Sequence, residues 1–513
     1  MKCPSKYCQL DPAPTFIIKD CIDVLLPSLT KIVNNSLVNG YFPQNWKCSS
    51  VIPLLKKPNL ERDFGNYRPV SNLKFISKVV ESAAINQYKD FLCNTNQMPV
   101  NNAAYRKHHS TETILTRVHS DILCNMDQQK VTILTLLDLS AAFDTVDYGI
   151  MNKLFDQKFC ISGSAAGWFN SYLCGRQQSV LINGVTSKKF DLNCGVPQGS
   201  CAGPVTFLSY ISSLYGVIAD HSINVGGYAD DNQLYSAFSP SADGSAEAGA
   251  VEMMNNCIQD VRTWMLQHKL KINDGKTELI VIGGPKQLPK VKNCSITVGT
   301  STIQPVNKVK NLGMVFDQHM SMKDHINQVC QTGFYKLYML KQIRKYFNRD
   351  AIESLVLSFI TCHIDYGNAM MYGLPDTSIQ KLQRLQNAAA RLIMQKSRRD
   401  SISGILKNLH WLPVRYRINY KLCLLVYKCL NGTGPAYLKD LLTVPTKSRN
   451  LRSSADPLKL EIPRVKTETF GKRAFKFAAP TTWNEVPYRI RDSASLPIFK
   501  SKLKTFYFNL AFN

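Results

Sequence analysis

Residues 228–231 read Tyr228-Ala229-Asp230-Asp231. Adjacent carboxylates raise each other's pKa unless a cation sits close by. An Asp-Asp pair is therefore either a solvated turn or half of a metal site. The flanks favour a hairpin tip: Ile223-Asn224-Val225-Gly226-Gly227 reads as a short strand entering a glycine turn, and Gln233-Leu234-Tyr235 as its returning partner. A metal site needs a further carboxylate, and one lies upstream. Residues 131–137, Val-Thr-Ile-Leu-Thr-Leu-Leu, form a β-branched apolar run of the buried-strand kind, ending at Asp138. A carboxylate at the end of a buried strand is costly unless paired or metal-bound. The alternative is helix capping, with Asp138 or Ser140 as the N-cap of a helix starting near Ala141. Asp144 and Asp147 fall on that expected helix, as solvated groups.

Between these carboxylates lies Gly195-Val196-Pro197-Gln198-Gly199-Ser200, ahead of the apolar stretch Pro204–Leu208. Glycines let backbone approach a ligand closely, and Gln198 offers an amide that donates and accepts. An ordinary loop before a helix is the alternative reading.

The elements that must position these groups follow from periodicity. Residues 1–50 read as helical, with Ile22, Leu25, Leu26, Leu29, Ile32 and Val33 on one face. A strand at 51–55, a loop at 56–66 and a helix at 74–92 come next. Then follow a helix at 110–126, the strand at 131–138, a helix at 141–156 and the hairpin. The Ser/Ala/Gly-rich residues 239–248 read as a surface loop, followed by a helix at 249–268 and a strand at 279–282. Beyond it, Ile326, Val329, Tyr335, Leu337, Leu340 and Ile343 mark an apolar stripe. A helix at 378–395 carries Lys381, Arg384 and Arg391 opposite an apolar face. Such a basic stripe is either a solvated face or a surface for a phosphate backbone. Trp411, Tyr416, Tyr420 and Tyr427 sit among basic residues, where core packing and base stacking compete.

The 513 residues carry a net charge of +25, unevenly placed. Residues 301–513 hold 34 Lys and Arg against 13 Asp and Glu, a surplus of +21, which leaves +4 for the first 300. Such a basic region points to a polyanionic partner. No apolar run of bilayer length and no secretion signal is visible, so no membrane partner is expected and an intracellular site, nucleus or cytoplasm, is. The 16 cysteines are scattered, with no Cys-x-x-Cys pair and no zinc-knuckle spacing, and Cys423 and Cys429 read as core residues.

The order Leu-Asp138-Leu-Ser-Ala-Ala-Phe-Asp, Gly-Val-Pro-Gln198-Gly-Ser and Tyr-Ala-Asp230-Asp resembles the palm of a reverse transcriptase, specifically the LINE-type (non-LTR) retrotransposon enzymes of the jockey-like group. Pro53–Lys57, Asn66–Ser71, Ala104–Glu112, Ile272–Glu278 and Asn311-Leu312-Gly313 resemble further motifs of the same family. The resemblance implies an α+β right-hand polymerase with an antiparallel palm sheet, followed by a basic helical C-terminal region. Its parts would be fingers and N-terminal helices at 1–96, palm at 97–317, thumb at 318–375 and the basic tail at 376–513. It implies RNA-directed DNA polymerase activity, with RNA template, DNA primer or target and deoxynucleoside triphosphates as partners.

By the same resemblance, two Mg²⁺ or Mn²⁺ ions are held by Asp138, the main-chain oxygen of Leu139, Asp230 and Asp231. Arg68 would hold triphosphate oxygens, Gln198 would contact the incoming nucleotide, and Phe143 would be the steric gate against a ribose 2′-hydroxyl. Lys276 would protonate the leaving pyrophosphate, Tyr228 would pack by the primer end, and Leu312 and Gly313 would grip the primer. Cys201-Ala202, Thr206, Asn232 and Asn101-Asn102-Ala103 depart from the family pattern. A catalytically inactive, decayed or repurposed nucleic-acid-binding element fragment is therefore the rival expectation, and a group II intron-type maturase a weaker one. The chain is expected to begin at the fingers, without the endonuclease such elements carry ahead of the polymerase. No RNase H pattern is visible after the thumb.

Overall fold

A computed structural model describes the whole chain except residues 1–7, 141–142, 446–455 and 457. Ala141 and Ala142, where a helix start is expected, and the first seven residues of the N-terminal helical stretch lie outside the described residues. The chain divides into two compact units that are discontinuous in sequence. One comprises residues 1–99, 138–222 and 257–273; the other comprises 100–137, 223–256 and 274–513. The stretch 97–317 thus contributes to both.

In the first unit Cys48–Leu55 pairs antiparallel with Tyr67–Asn72, Val51 opposite Ser71. On its other side Cys48–Leu55 runs parallel to Arg176–Ile182. Helices Ile22–Val38, Phe75–Asn94, Tyr148–Gln157 and Gly163–Leu173 belong to this unit. Its core is aromatic. The Phe42 ring meets Trp168 and Tyr172 edge-on at 5.6 and 5.2 Å, and Phe155 stacks on Phe169 at 4.3 Å. Such geometry suits ring quadrupoles and adds to the area buried.

In the second unit four antiparallel strands stand in the order Glu278–Ile282, Val131–Leu137, Asp231–Phe238, Asn224–Tyr228. Val131–Leu137 is central and nearly continuously buried, as its unbroken apolar run requires. Helix Thr111–Asp127 begins in a capping box, in which Thr113 N–H donates to Ser110 Oγ and Ser110 N–H donates back to Thr113 Oγ1. It packs so closely on the sheet that a Cβ at Gly226 would lie 2.9 Å from Val118 Cγ2. Helices Lys323–Ile343, Asp376–Met394, Val414–Leu430, Phe475–Glu485 and Leu496–Phe512 continue the same hydrophobic core. Asp127 fastens the C-terminal segment, accepting from Lys466 N–H and Thr467 N–H at 3.0 and 2.6 Å.

The α+β class, the antiparallel sheet and the helical C-terminal region all appear, with local differences. The central strand ends at Leu137, and the helix expected over 141–156 starts only at Tyr148, behind a turn. Asp147 is its N-cap, accepting from Ile150 N–H at 2.9 Å, so neither Asp138 nor Ser140 caps it. The helix after the hairpin starts at Ser245, inside the expected loop. Tyr335 and Ile343 stand on exposed positions of their helix (65% and 39%) rather than in its apolar stripe. Cys423 and Cys429 are buried, as are Trp411 and Tyr427, which settles core packing for those two aromatics.

Two buried histidines make the second unit acid-sensitive. Burial, then the Arg473 guanidinium, pushes His119 down to about 3; burial alone pushes His325 down to about 4. Both are held neutral when folded and take protons readily near 6.5 when unfolded. Their contribution is therefore whole above pH 6.5 and is lost as pH falls, toward 4 for His325 and toward 3 for His119. Below about pH 6 the loss is about 1.4 kcal/mol per histidine per pH unit. Denaturant titrations at pH 7, 6 and 5 should show stability falling in this sense, and His325→Gln should flatten the slope. A slope unchanged in that variant would contradict the assignment.

Candidate active site

Asn224–Tyr228 and Asp231–Phe238 form the expected hairpin, closing on the pair Tyr228↔Asp231. Its two turn residues are Ala229 and Asp230, with Ala229 in the left-handed region at φ 58°. That conformation is uncommon for a residue with a Cβ and needs support. Asn102 supplies it. Its side chain is fully buried; its Nδ2 donates to Ala229 C=O at 3.2 Å, and its Oδ1 accepts from Ala229 N–H at 3.3 Å. The backbone around Asn102 joins the sheet as well: Gly227 N–H donates to Asn101 C=O at 2.7 Å, and Ala103 N–H to Gly227 C=O at 2.9 Å. Residues 101–103, a departure from the family pattern, are thus a splint for the turn that carries the carboxylates.

Asn232, another departure, is also built in. It is 2% exposed and its Nδ2 donates to Asp230 C=O at 3.2 Å. The next residue, Gln233, accepts from Asn311 Nδ2 at 2.7 Å in a buried bond. Asn311 leads into Leu312 and Gly313, both at positive φ (43° and 90°), which form the two-residue turn between Lys308–Asn311 and Met314–Asp317. The Tyr366 hydroxyl donates to Leu312 C=O and, at 3.0 Å, accepts from the Thr111 hydroxyl. Buried amides thereby link the proposed primer-grip turn to the strand that starts at Asp231. Burial, then the charges of Asp230 and Tyr228, raises the Tyr105 phenol. Tyr105 is therefore a near neighbour of Asp230 that residue patterns alone do not assign.

Asp138 directly follows Leu137, whose ladder partner is Asn232. It is half-buried, and its carbonyl accepts from Asn273 N–H at 2.9 Å. Leu139 is buried and pairs with Ile272. Among the described residues, no group of three or more His, Cys, Asp or Glu side chains is arranged to hold a metal ion. The structure places Asp230 and Asp231 on one turn and the strand leading into Asp138 against the strand that starts at Asp231.

In the first unit the Gln198 loop is clamped throughout. Gly195 N–H donates to Val146 C=O, Val196 N–H to Phe143 C=O and Ser71 N–H to Gln198 C=O, each at 2.8 Å. Gly195 and Gly199 take φ of 85° and 125°, and a Cβ at either would lie 2.7 Å from a backbone oxygen, of Asp144 and Ser71 respectively. Only glycine meets both demands. Beneath the loop, fully buried Glu81 accepts from Cys201 N–H at 2.7 Å and Ala202 N–H at 3.3 Å. Burial raises its carboxyl, partly offset by Arg176. Thr206, in the helix Gly203–Tyr210, keeps a buried hydroxyl without a partner, a real cost of replacing the usual leucine.

Gln198 Nε2 donates to both oxygens of Asp144 at 3.2 and 3.1 Å, and burial raises that carboxyl. Asp144 is thus tied to Gln198 rather than carried on a helix. Asp147 pairs with Lys269 at 2.5 Å, and that contact leads in holding its pKa down. Asp147 is thus ion-paired rather than solvated, whereas Asp144 stays exposed, as its pattern implies, while hydrogen-bonded to Gln198. Asp144 and Gln198, with Arg62, Phe64, Tyr67 and Pro197, line a groove of about 780 Å³. Arg68 is exposed opposite Leu54 and does not line that groove. Phe143 stacks on Phe207 at 4.7 Å, and Lys276 is exposed in the turn Asp274–Lys276 of the second unit.

With this geometry in place, the family profile described as "Reverse transcriptase (RNA-dependent DNA polymerase)" matches residues 55–316, just over half of the chain. The chain belongs to the reverse transcriptase family. It is 24% identical over 381 residues to the RNA-directed DNA polymerase from mobile element jockey of Drosophila funebris, covering 72% of this chain and 40% of that protein. It is 26% identical to the probable RNA-directed DNA polymerase from transposon X-element of Drosophila melanogaster, covering 71% and 39%. It is 24% identical to a Pol polyprotein from the type-1 retrotransposable element R1 of Bradysia coprophila, covering 61% and 30%. The non-LTR, jockey-like resemblance therefore holds. The chain spans about two fifths of the length of the first of these relatives. A solved apo telomerase from Candida tropicalis, 12% identical, aligns with a TM-score of 0.37 over 54% of this chain and 55% of that one, too loosely to carry fold or function.

The splint makes a specific prediction for this family member. Asn102→Ala removes both side-chain bonds to Ala229 and leaves the Asp230 turn free to relax. Nucleotide incorporation should fall about 100-fold, the scale of a 1 Å misplacement, with circular dichroism unchanged. Single-nucleotide incorporation kinetics read this, and a wild-type rate in the variant would remove Asn102 from the account.

Proposed function

We propose that this chain catalyses RNA-directed DNA synthesis for a non-LTR retrotransposon, joining a deoxynucleoside triphosphate to a primer 3′-hydroxyl. The observation that carries the reading is the Asp230–Asp231 turn, splinted by Asn102 and closing a strand whose ladder partner runs straight into Asp138. All of it lies inside the family-matched stretch. Three carboxylates and a main-chain carbonyl are hard oxygen donors, the class that Mg²⁺ or Mn²⁺ prefers. Asp138, Asp230 and the Leu139 carbonyl would hold two such ions, with Asp231 as a weaker ligand. When bound, the ions acidify the primer hydroxyl and neutralise charge on the leaving pyrophosphate.

The chain's own side chains would do the positioning on which phosphoryl transfer depends. Arg68 would meet triphosphate oxygens with its planar guanidinium. Gln198, anchored on Asp144, would touch the incoming nucleotide. Phe143, braced on Phe207, would exclude a 2′-hydroxyl, and Lys276 would return a proton to pyrophosphate. Tyr228 and the Leu312–Gly313 turn would seat the primer end. In this reading residues 1–96 serve as fingers, 97–317 as palm, 318–375 as thumb and 376–513 as a basic tail, and the partners are an RNA template and a DNA primer. The partnerless Thr206 hydroxyl favours the rival, a silent nucleic-acid-binding remnant.

Primer extension on an RNA template separates the two. The wild-type chain should extend a DNA primer with Mg²⁺ or Mn²⁺ and stop in a chelator. Asp138→Ala or Asp230→Ala should each lower the rate on the order of 10³-fold, since losing a ligand removes several kcal/mol of charge stabilisation. RNA binding in chelator should be unchanged in both. Extension that persists in Asp230→Ala would contradict the site, and none in the wild type would favour the remnant.

A further inference from the structure

Helices Lys323–Ile343 and Asp376–Met394 cross at a pinch point, where a Cβ on Gly333 would stand 2.5 Å from Leu385 Cδ2. Toward their C-terminal ends a groove of about 910 Å³ opens, which Lys341, Lys345, Arg384, Arg391, Lys396 and Arg398 line together with Arg344. No Asp or Glu among the described residues lines it. Among the described residues, none of those first six cations is ion-paired to a carboxylate.

Arg344 is differently employed. It donates to Leu392 C=O and Ile393 C=O at 3.2 and 3.1 Å, satisfying the last carbonyls of its neighbouring helix. Arg391 keeps a buried Nε without a partner while its Nη2 donates to Asp400 C=O at 3.3 Å. Hydrogen bonds from Ser397, then the charges of Lys396 and Arg391, lower the Asp400 carboxyl, so one counter-charge stands near the cluster. The surplus cations repel one another, and the arrangement gains most when a further anion enters.

Aromatic rings accompany the charge. Phe334 lines the groove at 45% exposure, and Tyr335 and Tyr338 on the same helix are 65% and 60% exposed. An open Phe334 ring face beside the cations suits a strand that offers phosphates and unstacked bases together. An acidic peptide would use the charges and leave the rings idle. All of these residues lie beyond residue 316, outside the family-matched stretch.

We infer that this groove is a binding site for single-stranded nucleic acid, separate from the polymerisation chemistry. Lys341, Lys345, Arg384 and Lys396 take the backbone phosphates, and Phe334 takes a base face. The inference does not depend on the chain's being an active polymerase.

The test uses the full chain carrying Asp230→Ala, in chelator, so that catalysis plays no part. Fluorescence anisotropy with a fluorescein-labelled oligo(rU) or oligo(dT) is followed across a salt series. Poly-glutamate serves as a competitor without bases. Arg384→Ala with Lys396→Ala should weaken binding at least tenfold. The same pair should lower the slope of log K against log salt by about 1.4, the value for two lost phosphate contacts on a single strand. Phe334→Ala should weaken binding several-fold and leave the slope unchanged. Arg384→Lys with Lys396→Arg should restore the slope. Tighter binding of oligo(rU) identifies RNA as the natural strand, and tighter binding of oligo(dT) identifies DNA. Unchanged slope in the double Ala variant overturns the site. So does a Phe334→Ala chain that binds both strands as the wild type does, or poly-glutamate competing as well as RNA at equal charge. An Asp230→Ala chain that binds normally while the wild type shows no extension would sink the polymerase reading and leave the groove standing.

Discussion

The structure hangs on one ladder, Val131–Leu137 against Asp231–Phe238. A strand's side chains alternate faces with a period of two, so a slip of one residue would move every side chain of Val131–Leu137 to the opposite face of the sheet. Burial on both faces forbids that slip, and with it any drift of the residues at the strand ends. The last pair, Leu137↔Asn232, then sets where one strand ends and where its partner's side of the ladder begins, one residue after Asp231. A hydrophobic constraint fixes the register of polar residues that no hydrophobic force would place.

Strained polar backbone is the counterpart of that rule. Ala229 sits in a left-handed conformation, Leu312 in another, and each is held by a side chain from a distant stretch, Asn102 in one case and Tyr366 in the other. The Gln198 loop follows the same logic through Gly195, Gly199 and the buried Glu81 carboxylate. Buried amides, hydroxyls and carboxylates hold these turns because a turn has no ladder of its own to satisfy its backbone groups.

Elements with long, strongly periodic runs were legible in the residues. The central strand, the hairpin and the helices Thr111–Asp127 and Asp376–Met394 lie within a few residues of their expected ends. The Asp230–Asp231 turn was legible from its glycines and its returning strand. Ala-Ala-Phe mimics a helix start ahead of the helix at Tyr148, whereas Asp147, the actual cap, reads as one more surface acid. Asn102 was invisible for a different reason: a side-chain amide reaching 127 residues along the chain leaves no periodic trace. Asp144, paired with Gln198 across 54 residues, escaped in the same way.

The central claim, that Asp138 and the Asp230 turn hold divalent ions, can be tested on the protein itself. Fe²⁺ substituted for Mg²⁺ in the presence of ascorbate and peroxide generates hydroxyl radicals at the bound ion, and the backbone cuts can be mapped by mass spectrometry. The account predicts cuts clustered at residues 138–139 and 229–231, suppressed by excess Mg²⁺ and lost in Asp230→Ala. Cuts confined to other parts of the chain, or the same cuts in Asp230→Ala, would contradict it.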